Sequence, residues 1–145
     1  MQNLTKPTKS KEIRRTWHLI DVKGKILGRV ATEIAEIVMG KSKSYFNKNL
    51  DNGDYVVVIN ASEVKVTGRK EKLKVYTRYS GYPGGLRKET LGELRARKPE
   101  EIIKHAVSGM LPKNRLRDKM LKRLYVYGGS EHKFADKIQG GQVNA

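Results

Sequence analysis

The chain contains no cysteine, and this absence excludes several kinds of site at once. Without a thiol among its 145 residues, the protein can form neither a disulfide nor a thiolate metal site, and it has no cysteine nucleophile. Histidine is scarce as well, and His18, His105 and His132 lie far apart, without the spacing of a metal-binding pair. We therefore expect no metal and no other cofactor.

Long apolar runs are also absent. No run approaches the roughly 18 apolar residues of a transmembrane helix. Residues 1–15 carry a net charge of +4 but are not followed by the apolar segment of a signal peptide. These features predict a cytoplasmic protein that neither spans nor binds a membrane.

Acidic residues are few compared with basic ones. Lys and Arg number 31 against 15 Asp and Glu, which gives a net charge of +16. Self-repulsion at this level destabilises a compact chain, so such a charge usually indicates a polyanionic partner. No segment resembles a basic amphipathic helix that lies on a membrane surface. Nucleic acid is therefore favoured over an anionic membrane as the partner.

The apolar pattern predicts a single α/β domain. A chain of 145 residues fits one domain, and the elements read in the order β-α-β-β-β-α-α-α-β. This order predicts a compact three-layer α/β/α domain with a mostly parallel or mixed central sheet. We expect a flexible basic arm over residues 1–15, one domain over residues 16–132 and a polar tail over residues 133–145.

Two strands and a helix are the clearest elements of the first half. Residues 16–22 and 55–60 read as strands, and the continuous apolar run in the second is typical of a strand covered on both faces. Between them, apolar residues recur with helical spacing up to a C-cap at Gly40. Residues 64–67 and 73–79 read as two further short strands, joined by a turn at Gly68.

The second half reads as three helices and a final strand. Thr90 and Glu93 form a capping-box pattern, and Pro99 suits the first turn of the next helix. A short helix is predicted up to about Arg123, followed by a strand over residues 124–127. The predicted buried face of the middle helix consists of Ile102, Ile103, Ala106, Val107 and Met110.

Two segments imitate nucleotide-binding motifs without meeting their requirements. "AEIVMGKS", residues 35–42, ends a helix, whereas a P-loop must open one. "VKGKILGRV", residues 22–30, has only Gly24 and Gly28 and lacks the GxGxxG pattern. A tight turn is the better interpretation of the second segment.

Evidence for catalysis is weak. No pair of carboxylates stands out as an acid–base dyad, and Ser80 lies in "YSGYPGG" rather than in GxSxG. We therefore expect no enzymatic activity and no small-molecule substrate. An enzyme that acts on RNA or on a phosphorylated metabolite, with "GYPGG" facing the phosphate, is the alternative.

Two cationic clusters carry the functional prediction. Residues 65–88 have a net charge of +7 and residues 112–123 a net charge of +5. In the first, alternation over residues 72–79 predicts that Lys72, Lys74, Tyr76 and Arg78 share one face of a strand. In the second, a helical projection places Arg115, Lys119, Lys122 and Arg123 in one row. Such faces can contact phosphates and stack on bases.

Four sequence blocks make the resemblance specific. "TWHLIDVKGKILGRVATEIA", "GDYVVVINASEVKVTGRK", "YSGYPGGLRKETL" and "AVSGMLPKNRLRDKMLKRLYVYGGSEH" occur in this order. Together they resemble the universal large-subunit ribosomal protein family numbered thirteen, in its bacterial-length form. Two positions differ from the family pattern: Tyr79 stands where the family usually has histidine, and Arg117-Asp118 replaces a Gly-Arg pair.

The resemblance implies a non-catalytic α/β protein of the large ribosomal subunit. Such a protein binds large-subunit ribosomal RNA directly, joins early in assembly and has neighbouring ribosomal proteins as further partners. An additional role in binding messenger RNA is a further alternative. The candidate RNA-binding residues are Arg69, Lys70, Lys72, Lys74, Arg78, Tyr82, Gly84, Gly85, Arg87, Lys88, Lys113, Arg115, Lys119 and Lys122.

Overall fold

The computed structural model describes residues 7–138 of the chain. The strands are β1 Trp17–Asp21, β2 Tyr55–Ile59, β3 Val75–Tyr79, β4 Leu86–Thr90 and β5 Leu124–Val126. The helices are α1 Leu27–Met39, α2 Lys70–Leu73, α3 Leu91–Arg97, α4 Pro99–Met110, α5 Leu116–Leu121 and α6 Ala135–Ile138, and Ser10–Glu12 and Ala61–Glu63 form single 3₁₀ turns.

The central sheet is parallel and has the strand order β1-β2-β5. Val56, Val57 and Val58 of the middle strand are completely buried, as the uninterrupted apolar run predicts. One sheet face packs against α1, α3 and α4 through a shared apolar core. The other face carries Trp17 stacked on Tyr55, and α6 packs beside β1 on this side. The predicted three-layer α/β domain is confirmed.

Helix α1 follows the predicted apolar stripe. Its buried residues are Leu27, Val30, Ala31, Ile34, Ala35 and Val38. Gly40 ends the helix in the left-handed region at φ +77°, where a side chain would be strained. A Cβ there would also lie 2.6 Å from the carbonyl oxygen of Asn52. The predicted C-cap is therefore needed both for conformation and for space.

The boundaries of α3 and α4 confirm the capping predictions. The Thr90 hydroxyl accepts the Glu93 amide at 3.3 Å, and the Glu93 carboxylate accepts the Thr90 amide at 2.8 Å. Pro99 begins α4. The predicted buried face of α4 is wrong at Met110, which is 44% exposed. Met110 is the last residue of the helix, and the next residue, Leu111, is buried in the core instead.

Of the two strands predicted around Gly68, the second is confirmed as β3 and the first is wrong. Residues 64–67 form only an isolated bridge between Lys65 and Ile26, and Gly68 turns the chain away at φ +67°. Lys70–Leu73 is one turn of helix, so the second strand begins at Val75 and not at residue 73. Glu71 of this turn is held by the guanidinium of Arg95 in α3, a tertiary contact that local alternation does not report.

Strands β3 and β4 form a separate antiparallel hairpin. The hairpin is not part of the central sheet, and its tip consists of residues 80–85. It packs on the domain through α3 and through the ring of Tyr76, which lies 5.4 Å from that of His105 in α4. The "YSGYPGG" segment thus forms a projecting tip.

The two terminal segments lie partly outside the described residues. For the proposed basic arm, residues 1–6 are outside, while the Arg15 guanidinium donates to the Gly53 carbonyl at 2.9 Å. For the proposed polar tail, residues 139–145 are outside, while Phe134 packs on Trp17 with ring centroids 5.0 Å apart. Among residues 7–138, no helix is long and apolar enough to cross a membrane.

Candidate nucleic-acid interface

The tip of the hairpin is a compact glycine-rich turn. The Gly85 amide donates to the Tyr82 carbonyl at 3.0 Å, and the Ser80 amide donates to the Gly85 carbonyl at 3.3 Å. Gly81 and Gly84 have positive φ values of +88° and +73°, which glycine adopts without strain. A Cβ on Gly85 would lie 1.9 Å from the Ser80 Oγ. The turn itself therefore requires these glycines.

Tyr82 lies at this tip and is 75% exposed. The turn displays its ring instead of packing it against the domain. An exposed aromatic ring on a stiff turn is suited to stacking on a base or a sugar.

The basic candidates of the first cluster surround the hairpin, and all of them are exposed. We call this set the hairpin patch. It comprises Arg69, Lys70, Lys72 and Lys74 around α2, and Arg78, Arg87 and Lys88 on the two strands.

The candidates of the second cluster lie before, within and just after α5. Lys113, Arg115, Lys119 and Lys122 are all exposed, and we call them the α5 patch. Met120, on the opposite side of the helix, is buried. The helix therefore has the buried side and the cationic side that its sequence predicts.

The ion pairs found among residues 7–138 all involve other cations. Lys23, Arg97 and Lys98 pair with Glu63, Glu89 and Glu101, respectively. Arg15, Lys43, Arg95 and Arg123 also have carboxylate partners. Within residues 7–138, none of the eleven basic candidates has an acidic partner within 4.0 Å. The hairpin and α5 patches thus keep their positive charge uncompensated.

Helix α4 lies between the two patches. An open groove between α4 and α5 is lined by Glu101, Lys104, His105, Ser108 and Leu121. His105 also contacts Tyr76 of the hairpin. Lys104 and His105 were not among the sequence candidates. The helical period of the buried residues Ile103 and Val107 places Lys104 on the outer side of α4, and this signal was available in the sequence.

The predicted cationic face of residues 72–79 is only partly formed. Lys72 belongs to α2, whereas Lys74 and Arg78 are exposed. Tyr76 is half-buried, and this burial raises the pKa of its phenol, an effect that Arg95 partly offsets. The Tyr76 ring is therefore held against the domain and is not presented with the cations, because the hairpin packs on α4.

The prediction for Arg123 is wrong. The helical projection puts it in an exposed row with Lys119 and Lys122, but it is 6% exposed and pairs with Asp51. Helix α5 ends at Leu121, and the chain then turns into β5, so Arg123 leaves the helical register. Its guanidinium also donates to the carbonyl of Val38 at 2.9 Å. Arg123 holds the fold together and is unavailable to a ligand.

Comparison with known proteins identifies the family. The family model described as Ribosomal protein L13 matches residues 15–133. The chain belongs to the ribosomal protein L13 family. This confirms the resemblance read from the four sequence blocks. Because this is a family of structural ribosomal proteins, the expectation that the chain is not an enzyme is confirmed as well.

Individual relatives cover nearly the whole chain. The large ribosomal subunit protein uL13 of Dehalococcoides mccartyi is 51% identical over 140 residues, which cover 97% of this chain and 96% of the relative. The proteins of the same name from Syntrophotalea carbinolica and Geobacter sp. strain M21 are 49% and 51% identical over 131 residues, covering 90% of this chain and 92% of each relative.

The two departures from the L13-family pattern fall in different environments. Tyr79 is 64% exposed near the hairpin tip. Arg117 is half-buried in the first turn of α5. Helix α5 begins at Leu116, so Asp118 lies inside the helix and is not its N-cap.

A polar cluster in this L13-family protein was not foreseen from the sequence. The buried Asp54 carboxylate accepts the Thr16 amide at 3.0 Å, the Thr16 hydroxyl at 2.9 Å and a hydrogen bond from His18 Nε2 at 3.0 Å. Lys43 completes the set with an ion pair. Burial raises the pKa of Asp54, but these hydrogen bonds outweigh it and hold the pKa well below its ordinary value. The cluster fastens the start of β1 to that of β2.

Proposed function

We propose that this protein is a structural, non-catalytic component of the large ribosomal subunit that binds large-subunit ribosomal RNA directly through the hairpin and α5 patches. It works in the ribosome in the cytoplasm, joins the subunit early in assembly and contacts neighbouring ribosomal proteins. The observation that carries the proposal is that none of the eleven cations in the two patches has an acidic partner, whereas the seven ion-paired Lys and Arg residues of the described chain all lie outside the patches.

Uncompensated cations are the groups that RNA phosphates can use. A paired lysine must give up its carboxylate before it binds a phosphate, and the released carboxylate repels the RNA. An exposed lysine without an acidic partner exchanges only water and counterions. Seven such cations surround the hairpin and four lie around α5. Binding of RNA also relieves the self-repulsion of a chain with a net charge of +16.

The tip adds contacts that do not depend on charge. Tyr82 offers a ring for stacking, and the backbone of Gly84 lies in open space, with nothing within 4 Å of an added Cβ. An RNA surface can therefore approach the main chain at Gly84. Gly85 supports this arrangement from inside the turn.

The test is the salt dependence of binding to a large-subunit ribosomal RNA fragment. With about eight phosphates neutralised, the association constant is expected to fall by about 10³–10⁵ between 50 and 200 mM salt. The combined variant Lys72→Ala, Lys74→Ala and Arg87→Ala should reduce the magnitude of the logarithmic salt slope by about three.

A matched control separates specific contacts from total charge. The combined variant Lys23→Ala, Arg97→Ala and Lys98→Ala removes the same three charges, but from cations that have carboxylate partners. We expect its slope to stay close to that of the unmodified protein. Equal slopes for the two triple variants, or a flat salt dependence of the unmodified protein, would contradict the proposed interface.

A further inference from the structure

The hairpin has two unlike faces. In its antiparallel register Val75 lies opposite Thr90, Thr77 opposite Lys88, and Tyr79 opposite Leu86. Residues that lie opposite one another share a face, so these six form one face, which we call the outer face. The other face carries Tyr76, which contacts α4, and Glu89, which pairs with Arg97 of α3. The outer face therefore points away from the domain.

The outer face exposes three large apolar side chains. Val75 is 48% exposed, Tyr79 64% and Leu86 53%, and the preceding Leu73 is 71% exposed. Six large hydrophobic side chains are exposed among residues 7–138. Four of them belong to the hairpin, Leu73 lies just before it, and only Met110 lies elsewhere in this part of the chain. Single exposed hydrophobic residues are common, but a cluster of them marks an interaction surface.

We propose that the outer face is a docking surface for another protein of the large subunit. The inference rests on the proposed function in placing the partner within that subunit. Aliphatic side chains give a phosphate no hydrogen-bond donor and give a base no aromatic face, so Val75 and Leu86 gain little from RNA. Against an apolar protein surface they lose their contact with water, which favours association.

Charge on the outer face defines the partner further. Lys88 is the one basic residue among the six residues of this face, and none of the six is acidic. A second copy of the chain would place lysine against lysine, between two molecules of net charge +16. The partner is therefore a different protein, with an apolar surface and a carboxylate positioned to pair with Lys88. Lys88 is therefore the one member of the hairpin patch that we assign to the protein partner, and the other six cations remain for RNA.

Site-specific crosslinking in assembled large subunits tests the proposal. The photoreactive residue p-benzoylphenylalanine is placed at position 75 on the outer face in one full-length variant. In the matched control it is placed at position 78 on the other face. We expect position 75 to yield an adduct with another large-subunit protein, identified by mass spectrometry, and position 78 to yield an adduct with ribosomal RNA. An adduct between position 75 and RNA, an adduct with this same chain, or no adduct would overturn the proposal.

A polar substitution on the same face provides the second readout. Leu86→Ser removes an exposed apolar side chain and should lower the yield of the position-75 protein adduct by about fivefold, the effect of a small loss in interface free energy. The salt slope of the purified variant with the RNA fragment should stay unchanged. A reduced slope with an unchanged adduct yield would overturn the proposal and assign the outer face to RNA. The salt slopes of the triple cation variants test the proposed RNA interface separately. Failure of that interface can therefore be distinguished from failure of the docking surface.

Discussion

The guanidinium of Arg123 lies in the protein interior against the carboxylate of Asp51, 72 residues earlier in the chain. The same guanidinium donates to the carbonyl of Val38 at 2.9 Å and to that of Asp54 at 3.4 Å. It thereby joins the end of α1, the loop before β2 and the start of β5. This relationship explains why a residue from a cationic run is not available to RNA.

Removing this guanidinium should destabilise the fold. Arg123→Ala leaves Asp51 and two carbonyl groups without their donor, and we expect the free energy of unfolding to fall by about 3 kcal/mol. Arg123→Lys should recover only a part, because an ammonium cannot make the bidentate contact. Urea denaturation of both variants measures the effect. The adjacent exposed Lys122→Ala is the control and should change stability by less than about 0.5 kcal/mol; equal losses for the two alanine variants would contradict the structural role of Arg123.

Asp54 should make stability sensitive to acid. Its pKa is lowered in the folded protein relative to the ordinary value of 3.8, so its stabilising contribution is present above pH 4 and is lost as the pH falls below that value. Asp54→Asn should cost about 2 kcal/mol at pH 7. The difference from the unmodified protein should shrink at pH 3.

Denaturant unfolding at a series of pH values measures this difference. The exposed Asp118→Asn provides the comparison and should cost less than about 0.5 kcal/mol at pH 7. A cost of Asp54→Asn that stays constant between pH 7 and pH 3 would refute the assignment.

Replacing two glycines with alanine should change the stability of the protein in opposite directions. A Cβ on Gly53 would lie 1.6 Å from the Val38 carbonyl oxygen and 2.6 Å from the Arg123 guanidinium, so Gly53→Ala is expected to cost about 3 kcal/mol. Gly109 lies within α4 with nothing within 4 Å. Gly109→Ala should stabilise the protein by about 0.5–1 kcal/mol, since alanine is the better helix former. Thermal unfolding compares the pair, and a stable Gly53→Ala protein would show that the backbone moves apart there.

RNA should stabilise the folded protein. At a free concentration about 100 times the dissociation constant, the ribosomal RNA fragment is expected to add about 2.7 kcal/mol. For a chain of this size that corresponds to a rise of about 8 °C in the melting temperature. The triple variant at Lys72, Lys74 and Arg87 should show a smaller rise than the control at Lys23, Arg97 and Lys98. Absence of a rise in the unmodified protein would count against tight binding.

Local patterns predicted the elements whose causes lie within a few neighbouring residues. The stripe of α1, its end at Gly40 and the reciprocal capping of Thr90 and Glu93 depend on helical period, on left-handed backbone conformation and on hydrogen bonds across one turn. Each of these is specified by adjacent positions in the chain. The buried parallel strand β2 was equally clear, because burial on both faces requires an uninterrupted apolar run.

The sequence did not correctly predict the elements that depend on contacts between distant residues. The turn of helix at Lys70–Leu73 is held by Arg95, and the short bridge at Lys65 depends on the backbone next to Ile26. Alternation over residues 72–79 described a single strand, but it did not show which face packs on α4. The hairpin therefore turns Tyr76 inward and leaves Tyr79 and Leu86 outside.

The sequence by itself determined the excess of positive charge, the absence of thiol chemistry, the order of the main elements outside residues 64–90 and the resemblance to a ribosomal protein family. Only the tertiary structure decided which cations are free. Arg123 and Lys122 are neighbours in one basic run, yet the first is buried against Asp51 and the second is exposed. The physical reason is that an ion pair forms only where the fold brings two distant segments together. Composition and local spacing do not specify which distant segments come into contact.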